Sequence, residues 1–281
     1  MTSPPDRPDL RLYESALFRT VSSLIVGEDY LLLVDPTWLP GEVAAIHAEA
    51  EALLPGRQGY LLFTHSDYDH ILGFGKFADW HTLASQSFVD HPDPEEVLRE
   101  IREFDDQYYI TRDHPVVYPR IDTAIVGEGT AHRLGSETYL FWQSPGHNAD
   151  GLLVLHPQRG ILIVGDYLSN VEFPYLYHSV ADYRATLDKI EAILQEYDVR
   201  ILVSGHGDPT SNPDEMHQRL GDARRYLDAL EASVRQQQPF DLEGLFTCYR
   251  FPGVMRRFHA ENVILMERHV AQYPNPSTGL S

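Results

Sequence analysis

Within the stretch His65-Ser66-Asp67-Tyr68-Asp69-His70, four side chains able to ligate a metal ion fall inside six residues. Imidazole and carboxylate suit zinc, iron and manganese, and a surplus of ligands for one ion suggests two. Ligands at i, i+2, i+4 and i+5 cannot share one face of a regular element, because side chains recur about every 3.6 residues in a helix and every 2 in a strand. A turn leaving the end of a strand can fold them around a small volume. Such a strand precedes them. Tyr60-Leu61-Leu62-Phe63 is an apolar run bounded by Gly56 and Gly59, the pattern of a buried strand. Alone, a His-x-Asp turn usually belongs to a solvated surface.

The rest of the chain repeats the arrangement. Ile161 to Val164 runs into Gly165-Asp166, Ile201 to Val203 into Ser204-Gly205-His206, and Phe141-Trp142 reaches Gly146-His147 through Ser144-Pro145. Thr64 stands in the same relation to His65. Glycine removes Cβ and lets the backbone bend close to an ion. Four such junctions beside one ligand-rich turn point to a single site. The other ten of the 14 histidines lack this setting and are read as structural or surface residues.

These ligands need strands to end together. Apolar runs to Tyr30-Leu31-Leu32-Leu33-Val34, with Gly27-Glu28-Asp29 between two of them, give a hairpin. Pro40-Gly41 opens a helix to Leu54, and His70 to Gly73 enters a short one. Thr82-Leu83-Ala84, Ala124-Ile125-Val126, Tyr139 to Trp142 and Leu152 to Leu155 read as strands. Between 86 and 120 the rhythm changes. Pro92, Pro94 and Glu95-Glu96 precede Val97, Ile101, Phe104 and Tyr108 at helical spacing. This segment, which also carries His91, Tyr109 and His114, is a helical insert lining the site or an amphipathic helix packed on the core. Helices follow over Leu187 to Tyr197, from Pro213 with Met216, Leu220, Leu227 and Val234 on one stripe, and from Arg257 to Val270. With no repeat or linker, the expected organisation is one domain over 1–281, with C-terminal helices over 213–272.

Composition narrows the partners. There are 22 Lys and Arg against 42 Asp and Glu, a formal net charge of −20, which repels phosphate backbones. Nucleic acid is therefore not expected. The single Cys248 excludes an internal disulfide framework, fits a reducing compartment and is read as a small buried hydrophobe. Met1 to Asp9 is polar and Pro-rich, without the basic-then-apolar pattern of a signal peptide. No apolar stretch approaches the roughly 20 residues that span a bilayer. A cytoplasmic protein acting on a small molecule is expected, without membrane or nucleic acid; a homodimer is left open.

In order and residue type, His65/Asp67/Asp69/His70, Gly146-His147, Gly165-Asp166 and Gly205-His206 resemble the metallo-β-lactamase-fold hydrolases, whose signature is His-x-His-x-Asp-His followed by a His, a bridging Asp and a last His. The resemblance covers residues 10 to about 210. It implies an α/β fold, a four-layer αββα sandwich with a helical insert around 86–120 and a dinuclear site at one edge between two sheets. His65, Asp67 and His147 would bind the first metal, Asp69, His70 and His206 the second, and Asp166 both. The implied reaction is hydrolysis of an ester, thioester, lactone or phosphoester by a metal-bridging hydroxide. Asp69 would accept a hydrogen bond from that hydroxide and aim it. The implied cofactors are two divalent ions, zinc by family.

Asp67 stands where the family usually has His. Its harder oxygen and added charge favour iron or manganese over zinc. That carboxylate also resembles the flavodiiron proteins, a redox reading, and the DNA-uptake competence proteins, a nuclease reading; a non-catalytic metal sensor is a third alternative. Against the glutathione-thioester hydrolases, Tyr167 to Tyr183 carries one aromatic after another and no Lys or Arg. Tyr175, Tyr177 and His178 are the candidate substrate-binding residues, set against an aromatic loop covering the core.

Overall fold

The computed structural model describes residues 7–274. The polar stretch before Arg7 and the ends of the range 1–281 lie outside them. Strands β1 (Leu10–Glu14), β2 (Val21–Val26) and β3 (Tyr30–Val34) form an antiparallel meander. The turn between the last two closes on a hydrogen bond from the Gly27 amide to the Tyr30 carbonyl, 2.9 Å. Helix α1 (Pro40–Leu53) returns the chain to β4 (Gln58–Leu62), parallel to β3. A short α2 (Tyr68–Ile71) and a 3₁₀ turn lead to β5 (His81–Ser85), parallel to β4. Then α3 (Gln86–Val89) and α4 (Pro94–Tyr108) lead to β6 (Thr123–Ile125), parallel to β5.

Parallel neighbours cannot be joined by a tight turn, so each pair carries a crossover. The helical segment expected over 86–120 is the crossover between β5 and β6. Its helix starts as the sequence indicates: the Asp93 carboxylate accepts the Glu96 amide at 3.2 Å, Pro94 fills the first turn and Glu95 and Glu96 face the helix dipole.

The second sheet is built from β7 (Glu128–Leu134), β8 (Glu137–Gln143), β9 (Leu152–His156), β10 (Ile161–Ile163) and, after α5 (Val180–Glu196), β11 (Ile201–Val203). Its order is β11-β10-β9-β8-β7, beside a first sheet ordered β1 to β6. Strand β7 has no apolar run because it is the largely exposed edge. The chain closes with α6 (Pro213–Gln236), α7 (Leu242–Phe246) and α8 (Pro252–Gln272), the last longer than the expected 257–270. Cys248, expected inside, is exposed in the turn after α7, where the backbone lies on the surface.

Four layers follow from strands buried on both faces, which read as continuous apolar runs. In β3, Leu32 and Val34 point to the other sheet and meet Tyr139, Phe141, Leu152 and Val154, whereas Leu31 and Leu33 face α1 and α4 through Val43, Ile46 and Ile101. On the far side, Leu153, Leu155 and Leu202 pack against α5, α6 and α8. The order is therefore αββα.

Phe141 is fully buried between the sheets. Phe141→Ala is expected to lower the unfolding free energy by about 3–5 kcal/mol, from lost burial plus the cavity left behind. Equilibrium urea denaturation measures it, and a loss under about 1 kcal/mol would contradict this inter-sheet packing.

Candidate metal centre

The seven candidate ligands leave strands of both sheets at one edge of the sandwich. His65 follows β4, Asp69 and His70 lie on α2, His147 sits between β8 and β9, and Asp166 and His206 follow β10 and β11. The winding of α2 swings His70 back beside His65, their rings 4.0 Å apart. The sheets are tied together here: the Leu152 amide donates to the Thr64 carbonyl at 2.8 Å, and the Val21 amide to the Gly205 carbonyl at 2.7 Å. Glycine is required at two junctions. Gly146 has φ 134° and a Cβ there would lie 2.3 Å from the Tyr183 Cα; at Gly205 it would lie 2.2 Å from Asp166 Oδ1.

Asp166 stands at the middle. Its Oδ1 is 3.1 Å from His70 Nε2, and its Oδ2 lies 3.2, 3.3 and 3.7 Å from the Nε2 atoms of His206, His147 and His65. Three groups of donors lie close enough to hold an ion: His65/Asp67/His147/Asp166 and Asp69/His70/His206 around it, and Asp35/His65/His70 behind. Asp69 Oδ2 is 3.5 Å from His206 Nε2 and 3.8 Å from His70 Nε2.

Every one of the four imidazoles is turned by a partner on its other nitrogen. His147 Nδ1 donates to the Tyr175 carbonyl at 2.8 Å and His206 Nδ1 to the Phe18 carbonyl at 2.9 Å. His70 Nδ1 donates to Asp35 Oδ2 at 3.0 Å. His65 Nδ1 meets Thr64 Oγ1 at 2.9 Å, and that hydroxyl donates in turn to Asp35 Oδ2 at 2.5 Å. Carbonyl and carboxylate partners put the proton on Nδ1. The Nε2 lone pairs then converge on carboxylate oxygens, acceptor against acceptor. His65 Nε2, His70 Nε2 and Asp166 Oδ1 are buried with no hydrogen-bond partner among the described residues. Such a shell is complementary to cations, and its N and O donors fit divalent transition metals.

Protons express the same demand. Burial drives the His65 imidazole down to about 4. Burial opposes charge on His206 as well, yet Asp166, Glu172 and Asp69 push it up to about 10. Against burial, His70 is raised by Asp166, Asp69 and Asp35, and His147 by Asp166 and Asp67. Asp67 is itself oriented: Oδ1 accepts the Asn148 side-chain amide at 3.1 Å and Oδ2 faces His147 Nε2 at 3.0 Å.

A cleft of about 340 Å³ opens over these residues. One wall is aromatic and includes Tyr68, Phe173, Tyr175, Tyr177 and Phe258; α4 contributes Glu96, Val97 and Glu100. Helix α4 thus lines the cleft and also packs on the core, into which Leu98 and Ile101 are buried. Tyr177 is half exposed over His147, ring centroids 5.2 Å apart. The Tyr175 hydroxyl binds Glu261 of α8, so its ring stacked on Phe258, rather than its phenol, faces the cleft. His178 does not line the cleft; its ring is half exposed beside Asp182, 3.6 Å away, because α5 begins there. His91, read as structural, does line it, whereas His114 is buried against the Leu72 carbonyl and Tyr109 projects into solvent.

Sequence reading missed Asp35, Asn148, Glu172 and the α8 residues Arg257 and Phe258. Asp35 had a signal, as the apolar run Leu31 to Val34 ends on it just as others end on ligands. A family model described as the metallo-beta-lactamase superfamily matches residues 16–206. No curated protein matches the chain. Among solved structures, a metallo-beta-lactamase family protein from Thermus thermophilus is similar at 18% identity and TM-score 0.65, covering 95% of this chain and 94% of that one. A sec-alkylsulfatase from Pseudomonas sp. is similar at 16% identity and TM-score 0.67, covering 98% of this chain and 51% of that one. A beta-lactamase domain protein from Burkholderia ambifaria is similar at 16% identity and TM-score 0.64, with 96% and 88% covered. At these identities the likeness carries the fold.

Because Asp35 alone fixes two of the rings, Asp35→Asn is expected to weaken divalent-metal affinity by about 10–100-fold. Competition against a chromophoric chelator reads this directly. Unchanged affinity would mean that Asp35 does not seat His65 and His70.

Proposed function

We propose that this chain, which belongs to the metallo-β-lactamase superfamily, is a dinuclear metal-dependent hydrolase of a small molecule. The observation that carries the reading is the position of Asp166, whose two oxygens lie within 3.7 Å of all four converging imidazoles. His65, Asp67 and His147 would hold one divalent ion, Asp69, His70 and His206 the other, with Asp166 shared. When bound, such a pair acidifies water and polarises a carbonyl or phosphoryl oxygen.

The chain's own residues do the rest. Asp35, Thr64, Tyr175 and Phe18 hold the four rings so that the Nε2 atoms stay aimed inward. Asp69 lies on the cleft side and accepts a hydrogen bond from the attacking water, orienting it toward the substrate. Its backbone carbonyl is held by the Thr37 hydroxyl, which fixes α2 and with it the carboxylate. The aromatic wall and α4 exclude water from the far side of the substrate and set which acyl or leaving groups fit. This wall is the proposed determinant of specificity, with Tyr175 and Tyr177 forming part of it.

A screen of the metal-loaded protein over lactones, carboxylic esters, thioesters and phosphodiesters tests the reading. His70→Ala and His206→Ala are each expected to lose bound metal by elemental analysis and to lower turnover by at least about a hundredfold. Full activity in a metal-free preparation would end this proposal.

Asp67 carries a separate expectation about the metal. A carboxylate oxygen at this place favours iron and manganese relative to imidazole, so Asp67→His is expected to raise the zinc share of the purified protein. Elemental analysis of both proteins from the same growth medium decides it. An unchanged ratio would remove Asp67 from the ligand set.

A further inference from the structure

The charge around the cleft has a sign that a hydrolase of anions would not use. Two divalent ions would be matched by Asp67, Asp69 and Asp166 together with Asp35 behind them. No net positive charge would then remain to draw in a phosphate, sulfate or carboxylate. The next residues outward are acidic again. Glu96 and Glu100 line the cleft from α4, and Glu172 lines it beside Asp166 and His206. Glu96 is paired with Arg99, while Glu100 and Glu172 have no ion-pair partner among the described residues. Among the described residues the one guanidinium on the cleft is that of Arg257, which is mostly exposed, lies over the Phe258 ring and sits 3.9 Å from Glu261. Among the described residues, His91 is the cleft's only other basic side chain apart from the candidate ligands His147 and His206. Beside Ser66, Ser87, Asn148 and the buried Asp150, the rest of the lining is dominated by the aromatic wall with Val97, which favours apolar groups.

We propose that the cleft selects substrates without negative charge, namely carboxylic esters or lactones carrying an apolar chain. The selection rests on the hydrolase reading above for its chemistry and on Glu100, Glu172 and the aromatic wall for its discrimination. An anionic chain entering past Glu100 meets like charge in a partly desolvated cleft, where repulsion is stronger than in bulk water. An uncharged chain meets no such repulsion and can lie on the ring faces and Val97. Glu100 is exposed, whereas Leu98 and Ile101 of the same helix are buried, so it can be replaced without disturbing the helix packing.

A matched pair of esters isolates the effect. p-Nitrophenyl butyrate and mono-p-nitrophenyl succinate share a leaving group and a four-carbon acyl chain, and differ in ending as methyl or carboxylate. On the metal-loaded protein at low salt and mildly alkaline pH, kcat/KM for the butyrate is expected to exceed that for the succinate by at least about tenfold, the gap narrowing as salt is added. Glu100→Gln and Glu100→Lys should close the gap progressively. The corresponding p-nitroanilides, which resist hydrolysis, give the same comparison as equilibrium binding by calorimetry. Equal handling of the two chains, or a gap that Glu100→Lys leaves unmoved, overturns the inference. Absence of turnover with selective anilide binding would overturn the hydrolase reading and leave the selectivity standing.

Discussion

One carboxylate, that of Asp35, holds two of the histidines in place. It accepts the Thr64 amide at 2.8 Å on one oxygen, and the Thr64 hydroxyl and His70 Nδ1 on the other. His65 is seated through that same threonine. The group is 2% exposed, and burying a charge is tolerated only when hydrogen bonds satisfy it, as these three do. Its backbone is also left-handed, with φ 48°, a conformation that costs a residue other than glycine about 1–3 kcal/mol. Two unfavourable terms at one position are held because β3, β4 and the ligand turn lock around it. The convergence of Nε2 lone pairs on Asp166 is the result, since rings tied at Nδ1 cannot rotate to relieve it.

The convergence of the candidate ligands was legible in the sequence because His65, His147, Asp166 and His206 each follow an apolar run and a small residue, while Asp67, Asp69 and His70 crowd the turn after His65. Their orienting partners were not. Asp35, the Phe18 carbonyl and the Tyr175 carbonyl meet the rings across long sequence separations, and a backbone carbonyl has no residue signature at all. The aromatic loop illustrates the difference. Its tyrosines drew attention as substrate-binding side chains, yet Tyr175 contributes its carbonyl to His147 and its hydroxyl to Glu261. His178 turns out to flank the start of α5.

The fold was legible to the same extent and for a related reason. Strands buried on both faces gave apolar runs, while β7, an exposed edge, gave none. The helical segment after β5 could be read as packing or as function, and its two sides divide the roles. Such a division is available to any amphipathic helix lying beside a cleft, because only a stripe of it is needed for burial. The acidic excess of the whole chain is felt at the cleft too, where α4 presents glutamates rather than lysines.

Helix α8 lies beyond the matched family segment, yet it reaches the centre through Asn262. That side chain is fully buried; it donates to the Pro174 carbonyl at 2.7 Å and accepts the Leu176 amide at 2.8 Å, bracketing the residue whose carbonyl seats His147. Synthesis runs from the amino terminus, so all seven ligand-type side chains have left the ribosome before Asn262 appears. Until then the segment that aims His147 is held to the His147 loop by its own backbone, where the Tyr177 amide donates to the His147 carbonyl at 2.7 Å, and lacks the side-chain clamp. The His147 ring therefore takes its final aim only once α8 has docked.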